Sequence, residues 1–182
     1  MTELSLHILD IVQNSISAEA TEIEIEIDEN VTDNQYVIEI NDNGRGMNEE
    51  TLSHAADPFF TTRTTRKVGV GISLFRQNAE QTGGSLTLES KPGEGTRMKT
   101  VFGYNHIDRL PLGDMAGTLT ILIGANPGIR FIYRHNTPLS EFEFDTVEVK
   151  QELEGVPINH PDILKALKEL IEENLKLIEA AK

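Results

Sequence analysis

Asp42 stands two residues before one glycine and four before another, in the run Asn41-Asp42-Asn43-Gly44-Arg45-Gly46-Met47. The residues before it, Tyr36-Val37-Ile38-Glu39-Ile40, alternate apolar and polar and read as a half-buried strand. A strand ending in Asp-x-Gly-x-Gly holds one carboxylate at a fixed point and then turns the backbone tightly against whatever that carboxylate binds. Glycine is called for because positive φ, or close backbone approach, leaves no room for a Cβ. Taken alone, the same run also reads as a hairpin turn, since Asn-Gly is a strong turn former. Its neighbours decide between the two.

Asp10 and Asn14 are four apart on a segment with helical spacing, so their side chains share one face. Such an oxygen-rich pair suits magnesium, which takes few protein ligands and completes its shell with water and phosphate oxygens. An exposed acid–amide pair on a solvated face is the alternative reading. His7, three residues before Asp10, reads as structural. Farther on, Gly69-Val70-Gly71 opens a second helix and offers backbone N–H groups and a helix N-terminus to an anion. Arg63, Arg66 and Lys67 lie just upstream, a basic cluster in an otherwise acidic chain.

The elements that must position these groups follow from periodicity. Leu4, Ile8, Ile11, Val12, Ile16 and Ala20 mark an amphipathic helix. Ile23, Ile25 and Ile27 alternate with Glu22, Glu24 and Glu26, which predicts a strand with one solvated face, antiparallel to the strand that ends at Asp42. Asn48-Glu49-Glu50 starts a short helix that ends before Pro58. Residues 57–68 read as a mobile polar loop with Phe59 and Phe60 at its base. A helix then runs to about Gln81, closed by Gly83-Gly84, and strands follow over 85–90 and 96–102. Helices gathered on one face of a largely antiparallel sheet make an α/β (α+β) two-layer sandwich. We place this first domain at residues 1–104. Residues 105–182 read as a C-terminal extension. Residues 111–126 fit helix or strand, with Asp114 as a cap favouring helix, followed by a β-hairpin over 129–133 and 142–146, a short helix near 147–153 and a terminal amphipathic helix over 162–180.

The chain has 182 residues, no cysteine and a net charge of −14. That rules out disulfides and thiolate metal sites and argues against nucleic acid or anionic membrane as partners. The acidic N-terminus does not read as a signal peptide, and no apolar run approaches a membrane span, so a cytoplasmic protein is expected.

Together these segments resemble the ATP-binding domain shared by gyrase, heat-shock chaperone ATPases, histidine kinases and MutL, the Bergerat or GHKL fold, here in a small stand-alone bacterial form. Asp10 to Thr21 is similar to the MutL version of the asparagine box. Asp42 to Met47 matches the first glycine box. Asp57-Pro58-Phe59-Phe60-Thr61-Thr62-Arg63 looks like the phenylalanine box of histidine kinases, Gly69-Val70-Gly71-Ile72 like their second glycine box, and Gly93-Glu94-Gly95-Thr96 like the last. The resemblance implies ATP and Mg2+ as ligands. Asp42 would accept from the adenine amino group, with Thr96 supporting the same edge through water. Gly44, Gly46 and Met47 would close over the base, and Asn14 would ligate magnesium. Arg63, Lys67, Gly69, Val70 and Gly71 would form the lid over the phosphates.

Asp10 stands where MutL and gyrase carry a water-activating glutamate, one methylene shorter, and is the candidate catalytic residue. The implied function is a slow Mg-dependent ATPase acting as a regulatory switch, with a protein partner engaged through the lid or the extension. A histidine-kinase-like or anti-sigma-factor-like phosphotransferase, or a non-catalytic ATP-dependent binding module, stays open. The histidine-bearing dimerisation helices of a sensor kinase are not expected in this sequence, because only thirteen residues precede Asn14.

Overall fold

The computed structural model describes residues 2–55 and 70–181. Helix α1 (Leu4–Ser17) leads into strands β1 (Glu22–Asn30) and β2 (Gln35–Asp42). Then come α2 (Glu49–His54), α3 (Val70–Gln81), β3 (Ser85–Lys91) and β4 (Gly95–Gly103). The remainder forms α4 (Met115–Ala125), β5 (Arg130–Asn136), β6 (Glu141–Asp145), α5 (Thr146–Glu152) and α6 (Pro161–Leu177). All six strands join one sheet in the order β3-β4-β2-β1-β5-β6. Its pairs are antiparallel except β1 with β5.

Alternation decides the two faces. Ile23, Ile25 and Ile27 are fully buried, and the glutamates between them point outward. On the outward face Arg130 bridges Glu22 at 2.9 Å and Asp145 at 2.5 Å, and Arg134 pairs with Glu24 and Glu143. Arginines of β5 thus pair with glutamates of β1 across the parallel ladder. The inward face meets Ile8, Ile11 and Val12 of α1, Phe75 and Ala79 of α3, and Leu119 and Leu122 of α4 in one core.

α4 is the element whose sequence least declares itself, because apolar residues surround it. Asp114 settles the matter as the N-cap, its carboxylate accepting from Gly117 N–H at 2.7 Å. Gly124 lets α6 approach: a Cβ there would stand 2.9 Å from a Leu164 methyl. α6 packs its stripe of Leu167 and Ile171 inward, and its cap leads to Ala181, whose N–H donates to Glu29 at 2.8 Å. Beyond residue 104, β5 and β6 pair antiparallel and extend the same sheet from β1, and α6 packs on α4. No described helix is long and apolar enough to cross a membrane.

Candidate functional site

Register brings distant residues into one row. Asp42, the last residue of β2, pairs with Ile23 on β1 and with Thr96 on β4, and Thr96 pairs in turn with Ser90 on β3. The Asp42 carboxylate is held from two sides. Oδ1 accepts from Gly44 N–H at 2.9 Å, and Oδ2 accepts from the Ser15 hydroxyl of α1 at 2.6 Å. An ionised carboxylate with two fixed donors keeps its orientation and still has lone pairs to offer.

The turn after β2 is clamped between α1 and the β3–β4 hairpin. Arg45 N–H donates to Ala18 O, and Gly93 N–H donates to Arg45 O. Asn43 accepts from the N–H groups of Thr21 and Glu22 through one oxygen. Gly46 has φ +66°, and a Cβ on it would fall 1.9 Å from Lys91 O, so that position admits glycine alone. Gly95, at φ +97°, is excluded from a Cβ by Asp42 O in the same way.

Between this turn and α1 lies a cavity of about 540 Å³, a size suited to a nucleotide-sized ligand. Ile11, Ile40, Leu88 and Met98 give it apolar walls, and Asn14, Ser15, Asp42 and Thr96 contribute polar atoms. A flat heterocycle with an exocyclic N–H is the natural complement of apolar walls around one oriented carboxylate.

Asn14, Asp42, Gly46, Met47 and Thr96 line this one cavity. Gly44 is buried behind it, against Ala18. Asp10 is exposed, one helical turn before Asn14 and outside the lining. It faces the start of α3, where a Cβ on Gly71 would stand 3.3 Å from Asp10 Oδ2. Val70 is the first residue of α3, and its side chain lies outside the description. Arg63, Lys67, Gly69, the phenylalanine box and the loop over 57–68 also lie outside the described residues.

The Asn14 amide makes no hydrogen bond among the described residues, and no cluster of three acidic or histidine side chains among them could hold a metal. An amide oxygen in the cavity wall, without a partner among the described residues, fits magnesium as one ligand completed by water and other oxygens. His7 is structural in its surroundings: buried, stacked on Phe75 at 5.2 Å and bonded to Asn78. Burial, reinforced by the N-terminal charge, lowers its pKa to about 4.

Ser15, Arg45 and Ser90 belong to the site without having been singled out from sequence. Ser15 adjoins Asn14 and could have been noticed there. Ser90 carries no local signal, because it reaches the site only through strand pairing.

The family described as Histidine kinase-, DNA gyrase B-, and HSP90-like ATPase matches residues 2–105. The chain is 33% identical over 93 residues to the sensor protein DegM of a Bacillus species, covering 50% of this chain and 24% of that one. It is 35% identical over 90 residues to the sensor protein kinase FleS of Pseudomonas aeruginosa, covering 49% and 22%. The chain thus spans under a quarter of the length of these relatives. The Aquifex aeolicus MutL ATPase domain complexed with ADP superposes with a TM-score of 0.53 at 16% identity, over 85% of this chain and 68% of that one. The N-terminal domain of a DNA repair protein does so with a TM-score of 0.55 at 19% identity, over 80% and 52%. At those identities the two structures speak for the fold alone.

Proposed function

The chain belongs to the histidine kinase-, DNA gyrase B- and HSP90-like ATPase family, and from that premise we propose that it is an ATP-driven regulatory switch with slow, magnesium-dependent hydrolysis. The observation that carries this reading is the Asp42 carboxylate, fixed by Ser15 and Gly44 in the wall of a cavity that Asn14 also lines. Asp42 takes the exocyclic amine of adenine between apolar walls. Asn14 on α1 would supply an amide oxygen to a magnesium ion. Bound there, the metal would neutralise phosphate charge.

Asp10 stands one turn before Asn14 on an exposed face, open to water. On this reading its carboxylate takes a proton from the water that attacks the terminal phosphorus. The bond from that phosphorus to the bridging oxygen breaks meanwhile, and ADP and inorganic phosphate leave. Lys67 and Arg63 would hold the outer phosphates, as their place in the sequence suggests. A protein partner would read the nucleotide state through that segment or the C-terminal extension, in a cytoplasmic setting.

The kinase names of the relatives support a second reading, in which the terminal phosphate passes to a protein. Incubation with γ-labelled ATP separates the two. We expect label to appear slowly as inorganic phosphate, to cease on chelation of magnesium, and to fall ~10²-fold in Asp10→Asn, the usual contribution of a positioned base. ATP affinity should be nearly unchanged in that variant. Label retained on this chain or on a co-purifying protein would favour phosphotransfer.

A further inference from the structure

A second cavity, of about 670 Å³, opens at the end of α1 away from Asn14. Leu112, Met115, Ala116, Leu175, Ala180 and Ala181 give it an apolar floor between the segment leading into α4 and the end of α6. Glu3, Asp114, Glu172 and Glu179 line its rim, and among the described residues Lys176 is the one cation that does.

Both walls are fixed. The Pro111 and Leu112 carbonyls accept from the Leu4 and Ser5 N–H groups at the start of α1, at 2.9 and 2.8 Å. On the other side Ile178 O accepts from the Thr137 hydroxyl at 2.7 Å, and Ala181 N–H donates to the buried Glu29. A groove held open by its own hydrogen bonds has little order left to gain when something enters, which favours binding.

The charges choose the occupant. Asp114 and Glu172 share Lys168, at 3.1 and 3.7 Å, while Glu3 and Glu179 have no ion-pair partner among the described residues. Glu3 accepts only at 3.4 Å, from the Ser5 hydroxyl and Asp114 N–H. The end of α6 adds the negative end of its dipole. Glu172 and Glu179 are seven residues apart, roughly 10 Å along the chain at a helical rise, with Glu3 and Asp114 on the opposite wall. A single amine would meet one of these carboxylates and leave the others. A segment carrying several basic side chains beside an apolar strip would meet them together.

We propose that this groove docks a basic amphipathic segment of a partner protein, with apolar side chains on the Leu112–Leu175 floor and lysines or arginines on the rim. The inference deepens the regulatory reading, which calls for a partner at the C-terminal extension, and rests on it for what the docking would report. The net charge of −14 steers a basic segment toward the chain. α1 runs from this groove to the nucleotide cavity, with Glu3 at its N-cap and Asn14 and Ser15 in its last turn.

The probe is a labelled peptide of lysine and leucine at helical spacing, titrated by fluorescence anisotropy into the whole chain without nucleotide. A lysine–serine peptide of equal charge is its control. Wild type should bind the first at roughly micromolar strength, the weak end for protein contacts. It should bind the control roughly tenfold more weakly or worse, because no apolar surface is buried. Glu3→Gln combined with Glu179→Gln should weaken binding about three- to twentyfold, the weight of two rim charges. Ala180→Trp fills the floor and leaves every charge in place, and should weaken binding roughly tenfold or more. Dichroism confirms that each variant is folded.

Equal binding of the two peptides, or unchanged binding in folded Ala180→Trp, would overturn the inference and mean attraction to an acidic surface only. Unchanged binding in the double glutamine variant would overturn it as well. So would absence of peptide binding, whether because octylamine alone binds, making this a small-cation site, or because a second copy of the chain covers the groove in a dimer that Ala180→Trp dissociates. With no nucleotide present, these outcomes leave the Asp42 site untouched, and failure of the chain to bind ATP leaves the groove standing.

Discussion

Asp42 stands out locally, in a strand that ends in a carboxylate and then two glycines. A hairpin turn reads the same way, and only the other motifs of the chain favour a binding site. Of the two groups that hold Asp42, Gly44 is local and Ser15 is not. Ser15 comes from α1, twenty-seven positions away in sequence, and only the packing of that helix on the sheet sets its hydroxyl beside Asp42. His7 shows the opposite case, a titratable residue close to the site in sequence whose surroundings make it structural. Its folded pKa of about 4 lies below the ordinary 6.5, so the unfolded chain binds the proton first. Stability should therefore fall as pH drops from about 6.5 toward 4, by at most about 1.4 kcal/mol per pH unit from this group. Urea unfolding at stepped pH, compared with His7→Gln, measures it. The variant should lose that slope, and identical slopes in the two proteins would show that His7 is protonated without cost.

Periodicity located the long elements, since α1, β1, β2 and α6 each bury one stripe or one face. It was silent on α4 because that helix is covered on nearly every side and so shows no polar face. Only the cap Asp114 identified it. The parallel pairing of β1 with β5 was equally unreadable, because the two strands are separated by most of the chain and nothing in either names its neighbour. α6 tests whether the C-terminal part shares the core. Ile171 is fully buried on its inner stripe. Ile171→Ala should cost about 2–5 kcal/mol, by lost burial and a residual cavity. The expected signature is a single unfolding transition shifted to lower denaturant for far-UV dichroism and for nucleotide binding together. Two separate transitions, with binding unaffected by the first, would mean that α6 stabilises a unit of its own.

At the scale of the molecule, the C-terminal residues complete the sheet that carries the site. Beyond β1 lie β5 and β6, and Glu29 at the end of β1 is buried against His135 of β5 at 2.7 Å. Burial pushes the Glu29 pKa up, but hydrogen bonds from His135, Ala181 N–H and Tyr104 outweigh it, and the net shift is downward. That carboxylate therefore contributes stability above the ordinary glutamate range, and the contribution is lost as pH falls through its lowered value. We propose that residues 1–104 do not fold as a stable monomer alone. Removing residues 105–182 would open β1 as a long edge strand and strip α4 from α1, leaving Glu29 without His135. Size-exclusion chromatography and dichroism of residues 1–104 should find aggregated or partly folded material. A compact monomer with the full chain's ATP affinity would mark the extension as an independent appendage.

The account stands or falls on whether the carboxylate at the end of β2 receives adenine. Calorimetric titration of ATP into wild type and Asp42→Ala, each verified as folded by dichroism, asks this directly. Loss of a hydrogen bond to a charged acceptor, about 1.5–3 kcal/mol, predicts an affinity reduced roughly tenfold to a hundredfold in the variant. ATP binding of equal strength in the two folded proteins would contradict the assignment of this cavity as the nucleotide site.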